Sequence, residues 1–261
     1  MWSRFASLIR GIALITLIFT SAQAASTRFR TQEPVGVQTA QPPSTPKPRP
    51  RPRPKRTSRT ITREAQQLLS DLGYWVGEPD GKWGISSRFG LIAFQKVERR
   101  KRTGSLTTAE LKALRNATRP APREQGVAHI EVDLQRQVLF VVETDGTVSK
   151  ILPVSTGNGK PYELEGEMTT AVTPPGRFRV YRKLDGWRKS KLGLLYYPSY
   201  IVGGIAIHGN PSVPALPASH GCIRIPMFAA IEFSRMIPVG TEVVVYGAAV
   251  PTAKSVSQTQ Q

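Results

Sequence analysis

The sequence predicts an α+β multidomain chain, a small three-helix unit followed by a mainly β domain of sandwich-like type. Three observations carry this. Apolar residues recur at helical spacing from residue 60 to 116, they change to a period of two beyond residue 127, and a Pro/Arg-rich stretch separates both from the N-terminus. At 261 residues the length permits one large unit or two small ones, and 39% hydrophobic content supplies core material. The net charge of +18 is uneven: residues 1–60 carry +10, residues 61–128 carry +5 and residues 129–261 carry +3. Most of the basicity therefore lies outside the expected folded parts.

At the N-terminus, Arg4 and Arg10 flank the start of an apolar run from Gly11 to Phe19, and Ala22-Gln23-Ala24 supplies a small-residue cleavage pattern. Residues 1–24 read as a secretory signal peptide cleaved after Ala24, with an uncleaved anchor as the alternative. The run is too short to remain comfortably as a membrane span, so no integral membrane segment is expected after cleavage. Export to the periplasm or cell wall follows, with an anionic envelope surface rather than nucleic acid as the partner of the basic tail. Residues 25–59 contain Arg49-Pro50-Arg51-Pro52-Arg53-Pro54-Lys55-Arg56 and few apolar residues. Alternating proline and like charge favours an extended polyproline II spacer, at roughly 3.1 Å per residue. Residues 248–261 are expected to be a disordered tail.

Between 60 and 116, Ala65, Leu68, Leu69 and Leu72 keep helical spacing and Gly73 supplies the stop. Gly77, Pro79-Asp80-Gly81 and Gly84 then punctuate a turn-rich stretch, after which Ser86 or Ser87 is expected to cap a second helix presenting Phe89, Ile92, Ala93 and Phe94. Thr107 is expected to cap a third, with Glu110 as its capping-box partner and Leu111 and Leu114 turned inward. Together, Leu72-Gly73-Tyr74, Asp80-Gly81, Trp83-Gly84, Ala93-Phe94-Gln95 and Leu111 resemble a peptidoglycan-binding repeat, which implies wall binding; the residues themselves argue only for a small helical bundle.

Residues 117–127, with Pro120 and Pro122, make a short connection to the domain expected over 127–247. There Ile130, Val132 and Leu134, then Val138 to Val142, a Thr144-Asp145-Gly146 turn, and Val148, Ile151 and Val154 predict a β-meander. Further strands are expected at Arg177–Tyr181, Ile201–His208, Ile223–Ile225 and Glu242–Tyr246, and one helix over Met227–Met236 after Pro226.

The chemistry is concentrated in Ile205-Ala206-Ile207-His208-Gly209, a proline-rich loop, and Ser219-His220-Gly221-Cys222-Ile223-Arg224. Alternation places Ala206 with His208 on one face, and Cys222 with Arg224 on one face, while the isoleucines enter the core. Cys222 is the single cysteine of the chain, so no intrachain disulfide forms and a reactive thiol is a candidate role. A cysteine attacks a carbonyl as thiolate, and a neighbouring imidazolium favours that form. His220 lies two residues from Cys222, on its own face unless Gly221 bends the chain. His208 approaches from a neighbouring strand without that constraint and is preferred as general base and acid, with the Gly209 carbonyl as its orienting group. The N–H groups of Gly221 and Cys222 are the candidate oxyanion hole.

These segments, with Val154-Ser155-Thr156-Gly157, Thr173-Pro174-Pro175-Gly176-Arg177-Phe178 and Gly203-Gly204, resemble the L,D-transpeptidase catalytic domain over roughly residues 127 to 247. The resemblance implies a cysteine-dependent acyltransferase. Cys222 would be the nucleophile and His208 the base, with Ser219, His220 and Arg224 shaping the site, and the enzyme would take the terminal D-alanine from a peptidoglycan stem peptide and pass the acyl group to an amine. The acceptor would be another stem peptide or a wall-anchored protein; water as acceptor would make a carboxypeptidase. Tyr197 and Tyr200 are candidate substrate contacts, although aromatic residues in a β-rich domain, Trp187 and Tyr196 included, belong more often to a core. His129 reads as structural. No cofactor and no metal is called for. His208, His220 and Cys222 also spell a possible zinc set, but no Asp or Glu lies between residues 186 and 231 to serve as its base. A non-catalytic wall-binding protein is the other rival.

Overall fold

The computed structural model describes residues 59–248. The expected signal and tail, and the Pro/Arg spacer except for its last residue, Arg59, lie outside the described residues apart from Ala248. The chain opens with three helices, α1 (Arg59–Asp71), α2 (Ile85–Val97) and α3 (Thr108–Asn116). α1 stops where glycine was expected to stop it. Gly73 adopts a φ of +90°, and the N–H groups of Gly73 and Tyr74 return to the carbonyls of Ser70 and Leu69, which satisfies two of the carbonyls a helix end leaves open. Thr107 caps α3 by accepting the Glu110 N–H at 3.2 Å. The Glu110 carboxylate, however, pairs with Arg100 at 3.0 Å instead of closing a capping box. Nor does a serine cap α2: Gly84 occupies that position without a side-chain bond, because the Ser87 hydroxyl is buried and accepts from Gln66 Nε2 at 2.9 Å.

Twelve strands and one further helix follow: β1 (His129–Asp133), β2 (Val138–Val142), β3 (Val148–Pro153), β4 (Pro161–Leu164), β5 (Glu167–Thr170), β6 (Gly176–Arg179), β7 (Arg182–Lys183), β8 (Trp187–Ser190), β9 (Gly193–Val202), β10 (Ile205–Asn210), β11 (Ile223–Pro226), α4 (Met227–Met236) and β12 (Glu242–Tyr246). One sheet has the order β3-β2-β1-β12-β6, the other β11-β10-β9-β7 with β8 added to β9, and β4 and β5 form a separate hairpin. The pairs β1/β12 and β10/β11 are parallel and the other pairs antiparallel. The single strand expected over Ile201–His208 is in fact the end of β9 and the start of β10, because Gly203, at φ +51°, reverses the chain there. The short exposed strands β4, β5 and β8 carry no clean alternation of apolar residues and escaped the sequence pattern.

The main core lies between the two sheets and α4, with Ile130, Val132, Leu139 and Val141 from one side, Ile207, Ile223 and Ile225 from the other, and Phe233 of α4. A second core lies between the helices and the opposite face of the first sheet, where Leu69, Leu91, Phe94 and Leu114 meet Val138, Phe140, Val142 and Ile151. The helical unit therefore does not hold a private core. Its Gly73–Trp75 segment also bonds the edge of β3, Ile151 N–H to Gly73 O at 2.8 Å and Trp75 N–H to Ile151 O at 3.1 Å, which protects an otherwise open strand edge.

Candidate active site

The pairing of β10 with β11 sets Ile207 opposite Ile223 and His208 opposite Arg224. Both isoleucines point into the main core, as alternation requires, and the other face presents His208 and Arg224 side by side. One residue earlier, Cys222 packs with Ala206, Tyr200 and Leu195. Its sulfur receives the Ala206 N–H and lies 3.8 Å from the Gly204 carbonyl. Cys222, His208, Arg224, Ser219, His220 and Gly221 all line one open pocket of about 540 Å³, completed by β4 and β5, by residues 190–195 and by Asn210.

The backbone around Cys222 is held by a lattice of short bonds. Ser219 Oγ donates to the Cys222 carbonyl at 2.6 Å and accepts the Gly221 N–H at 3.1 Å. Thr173 Oγ1 donates to the Gly221 carbonyl at 2.6 Å and accepts from Gly157 N–H at 2.9 Å. The Thr156 carbonyl accepts the N–H groups of Ala218 and Ser219, and Ser155 exchanges both backbone bonds with Arg224. Gly221 sits at φ +146° with the Val172 carbonyl 3.0 Å from where a Cβ would stand, so the turn needs glycine twice over. That bend also sends His220 outward, where its ring packs at a tilt against Tyr162 of β4, with centroids 4.6 Å apart.

Electrostatics depart from the expected thiolate–imidazolium pair. His208 Nδ1 lies 2.9 Å from the Gly209 carbonyl, which suits an Nδ1–H tautomer and leaves Nε2 as the basic atom. Burial lowers the His208 pKa to about 4, outweighing that bond, and the neighbouring Arg224 charge pushes it the same way. Burial raises the Cys222 thiol, with the Ala206 N–H and Arg224 opposing more weakly. Among the described residues no hydrogen bond joins the thiol to His208. Burial thus works against both charged forms, thiolate and imidazolium, because each would lose hydration here.

Other sequence expectations are redistributed. Gly221 N–H is already engaged by Ser219, so Cys222 N–H is left as the candidate oxyanion donor. Tyr200 is not on the pocket wall: it is buried, with Arg182 stacked 4.4 Å over its ring. Tyr197, at φ +49°, also lies off the pocket and packs edge-on against Tyr196. Trp187 is not core but 53% exposed, resting on Tyr196. Tyr162, Leu194 and Asn210 line the pocket and were missed, since short exposed strands and loop tips leave no periodic signal. His129 is buried against Glu131 at 3.1 Å, remote from the pocket lining, and Glu131 in turn accepts the N–H groups of Arg123 and Glu124. Among the described residues, no three His, Cys, Asp or Glu side chains gather as a metal-ion ligand set, and no helix is long and apolar enough to cross a membrane.

The sequence and fold match known proteins. Residues 127–245 match the YkuD family, described as the L,D-transpeptidase catalytic domain, and residues 58–114 match a peptidoglycan binding domain. A solved L,D-transpeptidase from Xylanimonas cellulosilytica, spanning residues 123–326 of that protein, is 40% identical with a TM-score of 0.68; the match covers 71% of this chain and 92% of that one. An L,D-transpeptidase from Stackebrandtia nassauensis matches at 21% identity and a TM-score of 0.43, covering 72% and 91% of the respective chains. A search of curated proteins returned no match. The chain belongs to the L,D-transpeptidase family, with a helical peptidoglycan-binding domain ahead of its catalytic domain.

Proposed function

We propose that this protein is an exported transpeptidase that forms a thioester between Cys222 and a peptidoglycan stem peptide. The observation that carries the reading is the meeting of Cys222, His208 and Arg224 on one face of β10 and β11, in a pocket lined by no carboxylate. In the first half-reaction His208 Nε2 takes the thiol proton as sulfur attacks the carbonyl between the L-centre of the diamino acid and the terminal D-alanine. Because burial disfavours the free thiolate, proton transfer accompanies attack instead of preceding it. The Cys222 N–H stabilises the oxyanion, the C–N bond breaks, and His208 returns the proton to the departing amine of D-alanine. In the second half an acceptor amine gives a proton to His208 and attacks the thioester, and Cys222 recovers its proton. Arg224 pairs with no carboxylate among the described residues, which suits it to the D-alanine carboxylate. The signal-like residues 1–24 support action outside the cytoplasm, on the wall itself.

The decisive experiment incubates the protein with a purified disaccharide-tetrapeptide and resolves the products by mass. Cross-linked dimer with released D-alanine is expected. Tripeptide alone would make water the acceptor, and an unchanged substrate would refute the reading. Activity is expected to survive a chelator and to be lost on thiol alkylation; the reverse pair of results would favour a metal hydrolase.

A further inference from the structure

A second cleft, of about 260 Å³, lies where the turn after α2 meets the turn between β1 and β2. It is lined by Lys96, Arg99, Arg100, Arg102, Gln135 and Arg136, four guanidinium groups beside a buried amine, with no carboxylate. Of the nearby acids, Glu110 is committed to Arg100 at 3.0 Å and Asp133 to Arg136 at 3.7 Å, while Glu98, exposed at the end of α2, lies off the cleft lining. Lys96 has no exposed surface. Its Nζ donates to the carbonyls of Gln137 at 3.0 Å and Val154 at 2.8 Å, two neutral acceptors, while burial and the charge of Arg102 both push its pKa well down. Like charges brought together on a folded surface repel, and an oxyanion seated among them relieves that repulsion while accepting charge-assisted bonds from guanidinium forks. The parts of this chain outside the described residues hold one acidic side chain, Glu33, so they offer little that is complementary.

We propose that this cleft binds a multiply charged oxyanion, phosphate or carboxylate, carried by an anionic component of the cell envelope. It is built jointly by the helical unit and the β domain, and neither alone supplies all of its side chains. Arg102 also donates to the Ala215 carbonyl at 3.0 Å, in the loop that leads to Ser219 and Cys222, so the site abuts the catalytic loop without sharing its pocket. The proposal does not depend on the chemistry assigned to Cys222.

The test is calorimetric titration of the full chain, at constant ionic strength, with inorganic pyrophosphate in one arm and citrate in the other. The double variant Arg99→Gln/Arg136→Gln is compared with a charge-matched control in the Pro/Arg run, Arg51→Gln/Arg53→Gln, with circular dichroism melts confirming that both fold. Saturable binding is expected, weakened roughly tenfold by the cleft variant and about twofold or less by the control. The tighter arm identifies the oxyanion as phosphate or carboxylate. Equal weakening by both variants would assign the attraction to diffuse charge, and absence of saturation in both arms would equally overturn the site.

Discussion

The two five-stranded sheets of this protein use burial differently. In the first, β2 is buried at all five positions, Val138, Phe140 and Val142 facing the helices and Leu139 and Val141 facing the main core. In the second, β10 and β11 bury Ile207, Ile223 and Ile225 on one face and hold His208 and Arg224 against an open pocket on the other. A sheet covered on both faces reads as a continuous apolar run, and one covered on a single face alternates. The first sheet is a structural partition shared by two cores. The second packs one face into the main core and turns the other toward the pocket, where His208 and Arg224 stand.

The sharpest way to break this contrast is to delete function on the second sheet while leaving its fold. Cys222→Ala is expected to cut turnover of a tetrapeptide substrate by roughly a thousandfold or more, with a nearly unchanged melting temperature. Retained turnover would move the chemistry elsewhere. On the first sheet the outcome is inverted: Phe140→Ala, 2% exposed in the shared core, is expected to cost about 3–5 kcal/mol in urea unfolding. If the helical unit melted separately and the β domain lost nothing, the shared core would be refuted.

His208 belongs to both accounts, since its burial is also a pH dependence. With a folded pKa of about 4 against an unfolded value near 6.5, its contribution is fully present above about pH 6.5. As pH falls from there toward 4 the unfolded chain takes a proton that the folded chain refuses, so about 3 kcal/mol is lost across the window. His208→Gln should flatten that part of the stability profile, and an identical slope in both proteins would mean the ring is not held neutral. The smallest effect is expected at Ser219→Ala, which removes the hydroxyl joining Gly221 to Cys222; about 1–2 kcal/mol of stability and a modest loss in Cys222 acylation rate should follow, read by intact mass against time.

The helices, the meander and the strand pair carrying His208 and Cys222 were legible because each rests on a local rule: periodicity, a glycine stop, or alternation of faces. The same rules placed Ile207 and Ile223 inward and His208 and Arg224 outward before any contact was known. An apolar run continues through the Gly203 reversal and hides it, and Tyr197 and Tyr200 lie off the pocket lining because nearness in sequence to a motif is a poor guide to which residues face a pocket. Tyr162 reaches the site from a hairpin some sixty residues earlier.

The residues by themselves determined the order of the two folded parts and the sheet face on which His208 and Arg224 stand, since these follow from side-chain type and backbone period. The tertiary structure alone decided that the helices share a core with the first sheet, that Gly221 N–H is taken by Ser219, and that burial raises the thiol pKa of Cys222 and lowers that of His208. Those outcomes depend on desolvation and on contacts between distant segments, which a local pattern does not encode.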